Sequence, residues 1–177
     1  MKKIAVAALL VAPALAPAAL AESDLYVTGG YSAFDGDGAT LGALTVRGGL
    51  SFHENFGAEL EGSFGIGAED LDSVPGAEIE LENQFGGFLV GRFPVADQID
   101  ILGRVGYTTG EFQASNNGVS GDADVDGFAF GIGGEYMFTE QFGIRGDYTR
   151  IEADDDDLDG GVDVFSIAGV FKFGGLR

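Results

Sequence analysis

The chain contains no cysteine, which excludes a disulfide framework and any thiolate metal site. Its only histidine is His53, and no G-x-S-x-G elbow occurs, so the usual base and nucleophile of a hydrolase are missing. Bases are scarce: 9 Lys and Arg stand against 29 Asp and Glu, for a formal charge of −20. Nucleic acid is thereby excluded as a partner, since phosphate contacts need clustered cations. After residue 20 no apolar run approaches the roughly 20 residues of a spanning helix. If this chain enters a membrane, it does so as strands, and only a closed barrel satisfies strand backbone groups in lipid.

The first residues have the three parts of a secretory signal peptide. Lys2 and Lys3 precede an apolar run to Leu20 that is broken by Pro13 and Pro17 and ends on Ala19-Leu20-Ala21. A helical anchor fits poorly with two prolines. Residues 1–21 are therefore assigned as signal peptide and 22–177 as one domain of 156 residues, whose charge without the leader lysines is −22.

Within that domain the residues alternate. From Phe56 to Ala68, Phe56, Ala58, Leu60, Gly62, Phe64, Ile66 and Ala68 share one face, while Glu59, Glu61 and Ser63 share the other. The same period of two recurs over about 25–32, 41–52, 79–93, 99–109, 125–138, 142–150 and 163–173, which makes eight strands. Several reach the roughly 9–11 residues that cross a bilayer when tilted. Connections at 53–55, 94–98 and 139–141 are short. Those at 33–40, 69–78, 110–124 and 151–162 are expected as longer polar loops. This asymmetry of short turns and long loops, with apolar faces toward lipid, predicts an all-β, eight-stranded antiparallel up-and-down transmembrane β-barrel. Phe52-His53-Glu54-Asn55-Phe56-Gly57 and Phe138-Thr139-Glu140-Gln141-Phe142-Gly143 echo each other and place aromatics on either side of a turn. Phe93 and Phe173 complete that girdle; Tyr31, Phe64, Tyr107, Phe128, Tyr148 and Phe165 are assigned to the opposite one.

The chain resembles small eight-stranded outer-membrane barrels of the OmpX/OmpA type. Val27-Thr28-Gly29-Gly30-Tyr31, Val105-Gly106-Tyr107 and Ile167-Ala168-Gly169-Val170-Phe171-Lys172-Phe173 carry the resemblance, together with the strand pattern of the whole mature chain. It implies a monomer in the cell outer membrane of a Gram-negative bacterium, in contact with lipid and lipopolysaccharide, and assembled by the barrel-assembly machinery. That machinery reads a terminal aromatic in the family; here the chain continues past Phe173 through Gly174-Gly175-Leu176-Arg177.

The inward faces carry Glu59, Glu61, Glu80, Glu82, Glu135 and Asp147 against Arg47, Arg92, Arg104, Arg145 and Lys172. This near-balance within a strongly acidic chain predicts a lumen network of ion pairs built from Arg47, Glu59, Glu61, Arg92, Arg104, Glu135, Arg145, Asp147 and Lys172. Eight strands leave an interior that side chains fill, so the lumen is expected to be plugged. The four long connections hold 15 acids and no base. Asp122-x-Asp124-x-Asp126-Gly127 and Asp155-x-Asp157-x-Asp159-Gly160 match the start of a calcium loop. Gly133 and Ser166 stand where an EF-hand needs its bidentate Glu. A formal EF-hand is excluded; weak Ca²⁺ or Mg²⁺ binding by these carboxylates and a plain solvated surface both stay open. No cofactor and no catalysis are expected. The functions left are a structural barrel, an adhesin that binds through its loops, and a soluble calycin-like periplasmic barrel with its apolar faces turned inward.

Overall fold

The computed structural model describes residues 24–36, 39–70, 77–116, 119–153 and 161–173. Nine antiparallel strands form it: β1 (Asp24–Gly36), β2 (Ala39–His53), β3 (Phe56–Gly65), β4 (Ala68–Asp70), β5 (Ala77–Ala96), β6 (Ile99–Asn116), β7 (Val119–Met137), β8 (Phe142–Ala153) and β9 (Gly161–Lys172). β3 and the short β4 both pair with β5, so they make one stave of a sheet that closes with eight. β1 and β9 close the barrel in continuous register from Tyr26↔Lys172 to Asp35↔Asp163. The Phe173 amide donates to the Leu25 carbonyl at 2.8 Å below that seam. Closure removes the free edges that strands otherwise expose.

The alternation decides which face looks inward. Leu60 is 74% exposed and its neighbour Glu59 is 2% exposed. A soluble barrel with an apolar interior shows the reverse, and the calycin-like alternative falls on this observation. Leu44, Val46, Leu89, Val105, Ile132 and Ile167 also lie bare on the outside, while Arg47, Arg104, Glu135 and Arg145 are buried. Aromatic pairs cluster at both rims. Phe142 and Phe171 (4.9 Å) and Tyr136 and Phe138 (5.2 Å) lie near the turns. At the other rim the pairs are Tyr107 and Phe128 (5.3 Å), Tyr148 and Phe165 (5.2 Å), and Phe64 and Phe85 (5.9 Å).

The two echoing turns use one device. Thr139 Oγ1 accepts the Gln141 and Phe142 amides at 3.3 and 2.9 Å, and His53 Nδ1 accepts the Asn55 amide at 3.2 Å. A side-chain acceptor at the first turn position holds the chain in its reversal. We call this end, with the chain's entry and exit, the turn end; the opposite one is the loop end.

Two sequence expectations need correction. Much of the expected loop sequence is strand. β1 and β2 stay paired to Gly36↔Ala39, and β6 and β7 to Asn116↔Val119. Neighbouring strands keep exchanging backbone hydrogen bonds beyond the stretches whose outward face is apolar, so the alternation that marks a strand in the sequence ends before the pairing does. In addition, a bulge between Leu81 and Asn83 inverts the phase of β5. Leu81, which the inward assignment of Glu80 and Glu82 turned outward, points in and is 1% exposed, and Glu82 is exposed. One extra residue in a strand moves every following side chain to the other face.

Candidate functional site: the charged lumen

β2, β3, β5, β6, β7, β8 and β9 point charges at the barrel axis, because each carries a charged residue in phase with its inward small and polar residues. Arg47 on β2 donates through Nε to Glu61 of β3 at 2.6 Å and through Nη1 and Nη2 to Asp147 of β8 at 3.3 Å. Arg104 on β6 reaches the same two acids, Glu61 at 2.7 Å and Asp147 at 3.1 Å. Glu61 and Asp147 thus lie between two guanidiniums. Arg145 on β8 binds Glu59 of β3 and stands 3.6 Å from Asp147. Glu59 also accepts the Tyr26 hydroxyl at 2.8 Å.

A second cluster sits nearer the turn end. Glu135 Oε1 takes Arg92 at 2.6 Å and Lys172 at 2.7 Å, and Arg92 also reaches Asp100 at 3.2 Å. The Arg92 guanidinium lies over the Tyr26 ring, 5.4 Å from its centroid, so Tyr26 touches both clusters. Across these pairs five bases meet five acids. Isolated charges in such a place cost several kcal/mol each, which pairing offsets. The Arg104 guanidinium also packs on Phe88 at 3.5 Å.

Every one of the nine residues assigned to the network faces inward and has an opposite charge within ion-pair distance. Tyr26 and Asp100 were left out of that assignment. Both lie in the inward phase of their strands, so periodicity could have found them. Also unforeseen is a ribbon of hydroxyls linking Ser166 to Ser32 (2.7 Å), Ser32 to Thr45 (2.7 Å) and Thr45 to Ser63 (2.9 Å). Arg47 Nη2 joins it to the ion pairs through Ser166 at 3.1 Å.

Apolar side chains share the interior with the charges. Phe34, Leu41, Leu81, Ile151 and Val164 are buried together at the loop end, with Val162 packed against them, and the same cluster continues along one wall through Phe88, Val90 and Leu102 to the level of Arg92. Register sets Phe34 opposite both Leu41 and Val164, and Ile151 opposite Val162, so they form one layer.

The acidic motifs are placed differently. Asp122, Asp124 and Asp126 all lie within the extended β7. Successive members sit about 6.5–7 Å apart along a strand, without the sharp turn that wraps a calcium loop around its ion. Asp155, Asp157 and Asp159 lie outside the described residues. Among the described residues no group of three or more His, Asp or Glu side chains converges as metal ligands do. His53 holds its turn and stacks 5.8 Å from Phe56.

A sequence model of the outer membrane protein beta-barrel domain matches residues 4–173. No curated protein sequence matches the chain. Among solved structures, Neisserial surface protein A superposes with a TM-score of 0.67 at 11% identity, over 84% of this chain and 97% of that one. The N-terminal β-barrel domain of Pseudomonas aeruginosa OprF gives 0.64 at 14%, over 85% and 97%. The attachment invasion locus protein Ail of Yersinia pestis gives 0.60 at 16%, over 86% and 99%. At such identities these structures show the shared fold.

Proposed function

The chain belongs to the outer membrane protein beta-barrel domain family, and from that premise we propose that it is a non-catalytic structural barrel of the outer membrane, exported by its N-terminal signal peptide, with a lumen closed to solutes. The observation that carries this reading is the filled interior: five acids and five bases pair with one another, and an apolar layer lies above them at the loop end. The turn end then faces the periplasm and the loop end the cell exterior. Vesicles containing the refolded mature chain should retain a small entrapped dye; rapid release of the dye overturns the sealed-lumen reading.

A second reading, surface recognition, is favoured by one observation. β5, β6 and β7 run for 20, 18 and 19 residues, whereas β8 and β9 run for 12. One wall of the barrel therefore stands above the rest, and it carries Glu111, Asp122, Asp124 and Asp126. Ail has been crystallised with the heparin analogue sucrose octasulfate. A polysulfate suits this acidic wall badly, so a cationic surface partner is the expectation, or lipopolysaccharide phosphates bridged by Mg²⁺ or Ca²⁺. Cells expressing a chain shortened across 112–123 should lose surface binding and keep a folded, sealed barrel; unchanged binding sinks the second reading alone.

A further inference from the structure

We propose that the permeability barrier of this barrel is its apolar loop-end layer, and that the charged region beneath is a hydrated vestibule open to the periplasm. The proposal rests on the reading of the chain as a sealed outer-membrane barrel and adds where the seal lies and which side water enters from. Exposure is greatest next to the turns. The side chains of Lys172, Asp100 and Arg92 there are 26, 19 and 12% exposed, Glu61 of the inner cluster is at 8%, and Glu135, Glu59 and Arg145 are at 0%. The charged region therefore opens toward the turn end.

Its hydrogen bonding is also incomplete. Among the described residues, Arg92 Nη2, Glu135 Oε2, Arg145 Nε, Arg104 Nε, Thr28 Oγ1 and Gln84 Oε1 are buried with no hydrogen-bond partner. Donors and acceptors are both present, as Arg92 Nη2 and Glu135 Oε2 on two directly bonded residues show. Bridging water satisfies such sets, and dry burial penalises each atom. At the turn end water meets the partly exposed polar groups of Lys172, Asp100 and Arg92. From the opposite end it meets Phe34, Leu41, Leu81, Ile151 and Val164, whose side chains offer no hydrogen bonds. The layer that stops water is the layer that stops hydrated ions.

The absence of native cysteine allows a clean test. In cells carrying Thr28→Cys, a small cationic methanethiosulfonate reagent should leave the thiol unmodified from outside and label it once the outer membrane is permeabilised. Labelling in intact cells, or in neither condition, overturns the proposal. In planar bilayers the parent chain should be silent, Leu81→Ser/Ile151→Ser should conduct, and Arg92→Met/Glu135→Leu should stay silent. Conduction by the charge-pair variant with silence of the layer variant refutes the assignment of the barrier. Conduction by the parent instead refutes the sealed-barrel reading itself. Should the layer variant fail to fold, the thiol measurement decides alone.

Discussion

Replacing Arg145 by Met tests whether the lumen charges act as one unit. Arg145 is 1% exposed and supplies both nitrogens that face Glu59. After the substitution Glu59 keeps only the Tyr26 hydroxyl, at 2.8 Å. One hydrogen bond to a charged group contributes about 1.5–3 kcal/mol, less than the several kcal/mol needed to keep a carboxylate out of water. The expected loss is about 3–5 kcal/mol, the range for breaking a buried pair. Glu59→Gln should also destabilise, because Arg145 then retains only Asp147, at 3.6 Å, as an anionic partner. The double variant removes both charges and keeps an amide within reach of Tyr26. It should be more stable than the sum of the single losses by about 2–3 kcal/mol, near the upper end for coupled neighbours. The chain has no tryptophan, so urea unfolding from lipid vesicles is best followed by far-ultraviolet circular dichroism. Additivity within about 0.5 kcal/mol would refute the reasoning and reduce the network to independent contacts.

Leu60→Arg should cost about 2–4 kcal/mol if Leu60 faces the bilayer midplane; a loss near zero in the same unfolding assay places it elsewhere. Gly29→Ala and Gly30→Ala should differ sharply although the residues adjoin. A Cβ on Gly29 meets open space, whereas on Gly30 it strikes the Ile167 carbonyl and comes within 2.5 Å of the Ala168 Cα. Overpacking of that kind costs about 1–3 kcal/mol, so equal melting temperatures for the two variants contradict the packing described. If the extracellular acids take up divalent cations, the thermal midpoint should rise on adding Ca²⁺ or Mg²⁺ and fall with chelator; identical midpoints count against that proposal.

The stave count, the short turns and the inside-out orientation were legible in the chain because a period of two needs no partner to be seen. Leu60 and Glu59 declare opposite faces wherever their strand lies. The apolar layer was hidden for a local reason. Phe34, Ile151 and Val162 fall in stretches whose outward faces are polar, so no alternation marks them as strand. Leu81 was misplaced because a bulge leaves no mark on composition.

The sequence by itself determined that strands cross a membrane, which residue types face lipid, and that the inward charges nearly balance; each follows from side-chain alternation. Only the tertiary structure decided who pairs with whom. Glu59 meets Arg145 86 residues away and Arg47 meets Asp147 100 residues away. Strand register around a closed ring sets those meetings, and so does the one-residue slip in β5. Register comes from hydrogen bonds between distant segments, which a linear pattern does not contain.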